Sequence, residues 1–406
     1  MLSSNSSPNS SWTPSPTPSP NHAPVLPVVP IGMAPRQFAP SSNPFPHFWS
    51  PPPDPDKPMC PYRAGFAVEI KPHTPPPPFG TPRYGPGVWQ DRSDVDLKTV
   101  TQTELVLAYP PLERQNTMPS PHAATATLTI LKPLAVGDGR GAQLVVCSVD
   151  PSSCPQEPEG FVAKIFDPLY YSFESKFAAH EAEDVSFNAD VHYTHEAAAL
   201  DHLEGMRKSG RQGLSAPKYF GAWTFTLPVT HAGKKVQRSV RLVLMENIKG
   251  PSIRDICRDA ALLSRYSELD RLDIFAAVLD SAVRLWHAGV DQRDLASRNV
   301  VLRPSLTSSP SGPNSLPLPQ PVIVDYNIAA VFELSRDGKH PYQLMKLPPN
   351  PIQLYWGVFF GNFDGWLPHE WEDCHKICQQ WMKERFRGEA ASQYAPLTRE
   401  PEFSEY

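Results

Sequence analysis

Four polar side chains stand in settings that suit chemistry: Lys164, Asp294, Asn299 and Asp325. Lys164 interrupts the apolar run Phe161-Val162-Ala163-Lys164-Ile165-Phe166. Asp294 and Asn299 share the stretch Gln292-Arg293-Asp294-Leu295-Ala296-Ser297-Arg298-Asn299, and Asp325 closes the apolar run Val322-Ile323-Val324. Phosphoryl transfer asks little covalent help of a protein. It requires a phosphate cradle, a cation on the phosphates, metal ligands and a residue that orients the acceptor hydroxyl. Each has a candidate here, in chain order. The glycine cluster Gly137-Asp138-Gly139-Arg140-Gly141 is the candidate cradle, Lys164 the candidate cation, Asp294 the candidate orienting residue, and Asn299 with Asp325 the candidate metal ligands.

These residues need elements to hold them. Thr125–Ile130 alternates small or polar with apolar residues, as a strand does. Further strands are expected at Gln143–Val149, Gly160–Phe166, Lys218–Thr226 and Ser239–Glu246. A helix is expected over Ala189–Met206, which lacks proline and gathers Ala199, Leu200 and Leu203 on one face. Beyond Asn247 the balance tips to helix, over Ser252–Leu263, Glu268–His287 and Glu370–Phe386, with Ser252 and Ser267 as N-caps. Short strands at Asn299–Leu302 and Pro321–Val324 flank a Ser/Pro-rich insertion at about 303–321. The fold class is therefore α+β and bilobal: a small antiparallel sheet lobe with one helix (124–246), then a larger helical lobe (247–390) and a tail (391–406).

The motifs resemble those of the protein kinase superfamily, over about 125–390. Residues 292–299 match the catalytic-loop pattern H-R-D-L-x-x-x-N at every position except the first. Asp325-Tyr326-Asn327 stands where D-F-G belongs, and Val162-Ala163-Lys164-Ile165 is similar to V-A-I-K with its last two letters exchanged. Residues 137–144 resemble G-x-G-x-x-G-x-V with Ala142 at the third glycine, and Met245-Glu246-Asn247-Ile248 resembles a hinge. The chain looks most like divergent fungal kinase-domain proteins. The resemblance implies ATP and Mg²⁺ as cofactors, with Asp294 as catalytic base beside Arg293. It implies Asn299 and Asp325 on metal, Lys164 on the phosphates, Gly137 and Gly139 over them, and the backbone of Glu246 and Ile248 at adenine. Glu196 is the expected carboxylate partner of Lys164, with Glu181 and Glu183 as competitors. Gln292 for His, Tyr326-Asn327 for Phe-Gly, and the lack of A-P-E depart from the pattern, and about eighty residues follow Asp325. The expected acceptor is a protein hydroxyl, Ser/Thr by superfamily base rate. A small-molecule hydroxyl, or a pseudokinase serving as a nucleotide-gated binding module, are the alternatives.

Composition frames the rest. The 50 prolines among 406 residues crowd the first ~120 positions and predict a disordered Pro/Ser-rich region over 1–85, followed by a connector at 86–123 with a short strand at Leu105–Tyr109. Thr13-Pro14 through Ser19-Pro20, Thr74-Pro75 and Thr81-Pro82 suit proline-directed kinases, and Pro75–Pro78 suits an SH3 or WW groove. A net charge of -5 gives no footprint for nucleic acid. No apolar run reaches the ~20 residues of a membrane span. Six scattered cysteines read as reduced thiols of a cytoplasmic or nuclear protein. His369, Cys374, His375 and Cys378 match no common zinc spacing and are read, like His287 and the aromatic-rich stretch from Trp356 to Trp381, as packing residues.

Overall fold

Lys164 and its neighbours on the same strand decide which way the first half of the molecule faces. In the computed structural model, which describes residues 49–80, 82–87, 90, 94–115, 125–150, 160–175, 181–305 and 317–403, six strands close into an antiparallel barrel. They are β1 (Ala67–Pro72), β2 (Ala126–Ala135), β3 (Gln143–Asp150), β4 (Phe161–Phe166), β5 (Tyr219–His231) and β6 (Lys234–Glu246), in the order β1-β2-β3-β4-β6-β5. Alternation along β4 sends Phe161, Ala163 and Ile165 into the barrel core. It sends Val162 and Phe166 outward, to a second core beneath the long helix. Lys164 shares that outward face.

Two helices accompany the barrel. The first, α1 (Gln102–Ala108), stands where a strand was expected. Thr101 caps it and Glu104 returns the bond, a capping box that outweighs the strand-like Leu105-Val106-Leu107 pattern, and Pro110 follows its end. The second, α2 (Val185–Lys208), is capped by Asp184 and runs longer than expected. It lays Tyr193, Ala197, Leu200 and Leu203 on the outer face of β4 and β6.

The described part of the 1–85 region is not a free tail. Proline-rich backbone can lie extended on a surface without internal hydrogen bonds, provided enough side chains anchor it. Tyr62, Ile70, Phe79 and Tyr84 are such anchors, all buried, and β1 closes the barrel by pairing with both β2 and β5. The Ser-Pro and Thr-Pro pairs from Thr13 to Pro20, Thr81, Cys154 and residues 306–316 of the insertion lie outside the described residues.

Beyond β6 the chain is mainly helical: α3 (Ile253–Cys257), α4 (Ala260–Leu263), α5 (Glu268–His287), α6 (Pro351–Tyr355), α7 (Glu370–Asp373) and α8 (His375–Phe386). Between them lie two-stranded ladders, β7 (Val290–Asp291) with β10 (Ala330–Val331), and β8 (Val300–Arg303) with β9 (Gln320–Ile323). The single expected helix over 370–386 is broken at Cys374, whose backbone is extended. Phe275 of α5 sits at the centre of the aromatic residues, within 5.0 Å of Phe360 and Phe363 and 5.9 Å of Trp381. Residues 391–403 also pack on the fold: Tyr394 is buried and its hydroxyl donates to Asp280 at 2.8 Å. Gly250, between β6 and α3, has φ +138, and a Cβ there would meet the Leu302 carbonyl oxygen at 2.0 Å. Only glycine lets this crossing touch β8.

Candidate functional site

The site forms where three elements converge on the outer face of β4. Lys164 Nζ donates to Glu196 Oε2 of α2 at 2.5 Å and to Asp325 Oδ1 at 2.6 Å. Glu196 Oε2 also accepts from the Tyr326 backbone N–H at 2.8 Å. The competitors Glu181 and Glu183 point elsewhere, to Lys98 and Asn188. Burial acts to lower the Lys164 ammonium, but Asp325 and Glu196 outweigh it and hold it above its ordinary value. Burial pushes the Glu196 carboxyl up to about 6, against the pull of Lys164. Burial would likewise raise Asp325, yet Lys164 keeps it below the usual carboxylate range.

The β8–β9 hairpin explains how Asp294, Asn299 and Asp325 come together. Val300 pairs with Ile323, and the Val324 N–H donates to the Asn299 carbonyl at 2.9 Å, so both loops leave one end of the ladder. Arg298 donates to both Asp294 oxygens at 2.6 and 2.7 Å, and Asn299 Nδ2 donates to Asp294 Oδ2 at 2.8 Å. Gln292, standing in the first motif position, ties the two loops. Its Nε2 donates to the Asp325 carbonyl at 2.7 Å and the Val324 carbonyl at 3.1 Å, while its Oε1 accepts from the Asp294 N–H at 2.9 Å. Asp325 and Arg293 both adopt φ +66, a left-handed conformation that non-glycine residues rarely take. Such strain tends to collect at functional sites, where surrounding contacts hold it in place.

Other expected residues stand further out. Arg293 is exposed, and its guanidinium donates to the Ile328 carbonyl at 3.4 Å. Glu246 ends β6 with its N–H donated to the Lys218 carbonyl at 3.0 Å and its carboxylate paired with Arg303 at 2.8 Å. Its backbone donor is thus already engaged. Ile248 lies half-buried in the crossing to α3. Gly137 and Gly139 fall in the β2–β3 turn, with Gly139 at φ +71.

Three contributors were not singled out from the sequence. Buried Gln143 shapes the glycine turn: its Oε1 accepts from the Gly137 N–H at 2.7 Å, and its Nε2 donates to the Gly137 and Gly141 carbonyls at 3.0 and 2.9 Å. A polar residue opening the strand just after the glycine cluster was the available signal. His192, one turn before Glu196, stacks on Tyr171 with ring centroids 5.8 Å apart. Burial, with Lys164 adding to it, pushes the His192 imidazole down to about 4. Nothing in the sequence points to Tyr171, which lies in an irregular stretch, yet a Cβ on Gly141 would be 3.9 Å from its ring.

Among the described residues no group of three or more His, Cys, Asp and Glu side chains is gathered for a metal. His369 pairs with Glu372 and Cys378 is buried in the helical core. Mg²⁺ needs fewer protein ligands, since it keeps several waters and shares phosphate oxygens. The donor set fits it: Asp325 presents a side chain 35% exposed beside the buried Lys164 and Glu196. No helix of the described residues is long and apolar enough to cross a membrane.

No protein-family model matches the chain, and no curated protein matches it. Among solved structures it is similar to the BubR1 kinase domain, at 12% identity over 57% of this chain and with a TM-score of 0.33. The match spans 60% of that domain's length, and a likeness this loose defines neither family nor function.

Proposed function

We propose that the chain is a protein-kinase-like phosphotransferase, moving the γ-phosphate of ATP to a protein hydroxyl with Mg²⁺. The observation that carries this reading is the three-way junction of Lys164 with Glu196 and Asp325, beside an Asp294 held by Arg298 and Asn299. Buried ionisable groups shifted by burial and by specific charge partners tend to cluster at functional sites. In this reading Lys164 grips the α- and β-phosphates, fixed in direction by Glu196. Asp325 and the Asn299 amide oxygen would hold Mg²⁺, which when bound would neutralise charge on the phosphates. Asp294 accepts a hydrogen bond from the acceptor hydroxyl and orients it, its direction set by Arg298 and Asn299. The glycine turn, braced by Gln143, covers the phosphates with backbone N–H groups.

Exposed Leu334, Leu344, Met345 and Leu347 follow the site in the chain and favour a protein acceptor over a small metabolite. The described cysteines are all free thiols, which suits the reducing cytoplasm or nucleus. The test is incubation of the full chain with γ-labelled ATP, Mg²⁺ and cell extract, wild type against Asp325→Ala. Label entering protein with the wild type alone is expected. Mg-ATP binding without label from either would shift the reading to a nucleotide-gated binding module.

A further inference from the structure

Helix α2 and residues 325–331 carry the partners of Lys164, and each brings a local cost into the apolar core they share. Glu196 brings a carboxylate into an apolar core, and Asp325 sits at positive φ. Residues 73–80 and 82–87, following β1, reach both. On α2, His195 Nε2 lies 2.7 Å from the Phe79 carbonyl, one residue before Glu196, and the buried, neutral imidazole donates there. His73 Nδ1 meets the Tyr193 hydroxyl at 2.5 Å. On the other side, the Tyr84 hydroxyl accepts from the Val331 N–H at 2.6 Å and donates to the Ala329 carbonyl at 3.3 Å. The Tyr84 ring packs on His195, centroids 4.8 Å apart, and is only 1% exposed. Arg83 extends the contact, its carbonyl accepting from the Arg336 N–H and its guanidinium pairing with Asp337 at 2.8 Å.

We propose that Tyr84 is a positioning residue for the site. It clasps α2 to residues 329–331, so that Glu196 and Asp325 meet Lys164. The clasp is an aromatic ring with two hydrogen bonds, supplied by the described N-terminal region. The inference rests on the phosphotransfer reading only for what the assembled site is for.

The test is hydrogen exchange of the full chain, wild type, Tyr84→Phe and Tyr84→Ala, without nucleotide and with Mg-ATP. Tyr84→Phe keeps the ring and removes both hydrogen bonds. It is expected to speed exchange at 192–200 as well as at 329–331, about three- to tenfold, the scale of one or two hydrogen bonds. Mg-ATP should restore protection of 192–200 in the variant and add little in the wild type, which a merely structural role would not produce. Faster exchange confined to the Val331 amide, with α2 unchanged, would overturn the proposal. If Tyr84→Ala fails to fold, Tyr84→Phe still decides. Failure of the wild type to bind Mg-ATP strikes the phosphotransfer reading alone, since exchange without nucleotide reports the clasp by itself.

Discussion

Two buried ionic clusters stand on the same barrel, and they differ in what can reach them. Inside it, Asp167 accepts four hydrogen bonds: Arg238 Nη1 and the Leu169 N–H at Oδ1, and Arg238 Nη2 and the Tyr62 hydroxyl at Oδ2. Every lone pair of that carboxylate is spoken for, and neither Asp167 nor Arg238 has access to solvent or a ligand. On the outer face, the Lys164 cluster is open. Glu196 Oε1 is buried without a partner among the described residues, and the Asp325 side chain is 35% exposed. Arg238 Nε is also buried without a partner among the described residues, so access separates the two: a sealed cluster serves the fold, while an open one can meet something that binds.

The same substitution separates them. Asp325→Asn removes the carboxylate proposed to hold metal but leaves Lys164 paired with Glu196, and Asn tolerates positive φ better than most residues. Its phosphotransfer rate should fall on the order of 10³-fold, while the thermal midpoint moves little. Asp167→Asn should do the reverse. It strands Arg238 in the barrel with one carbonyl oxygen as acceptor, at a cost of about 3–5 kcal/mol in denaturant unfolding. Loss of stability with Asp325→Asn, or none with Asp167→Asn, would erase the distinction between the clusters.

What the sequence disclosed follows the same division. Lys164, Asp294, Asn299 and Asp325 could be read because motif order and apolar strands frame them, and the structure brings them together with Glu196. The barrel's closing strand could not. Ala67-Val68-Glu69-Ile70-Lys71-Pro72 offers a single buried side chain, Ile70, amid prolines, so neither alternation nor composition marks it. The Asp167–Arg238 pair was equally hidden, because 71 residues separate partners that only barrel closure brings into contact. Tyr84 belongs to the same class: its partners lie about 110 and 245 residues away in the chain. The α1 helix was misread although its capping box was present, because a five-residue apolar window fits both periods.

The open cluster should also respond to acid. Glu196 titrates at about 6 in the fold, above its ordinary 4.5. The folded state therefore holds this proton more tightly than the unfolded chain does. Between about pH 6 and 4.5 this group favours the fold as pH falls, while protonation weakens its hold on Lys164. Mg-ATP affinity is expected to decline as pH drops through about 6, with no matching loss of stability from this residue. Glu196→Gln should bind more weakly at neutral pH and show a flatter profile across that window. An unchanged profile would mean that Glu196 does not control Lys164.

The smallest effect is expected at the surface. Lys57 Nζ reaches Asp138 in the glycine turn at 2.7 Å, but Asp138 is 62% exposed and Lys57 19%. Water and salt screen such a pair, and two side chains lose freedom to make it, so its worth is below about 1 kcal/mol. Asp138→Asn should shift the thermal midpoint by no more than about 2 °C and Mg-ATP affinity by less than about threefold. A larger loss of affinity, abolished by high salt in the wild type, would show that the N-terminal region steers the glycine turn as well as α2. The open cluster would then be governed from two sides by the same segment that closes the barrel.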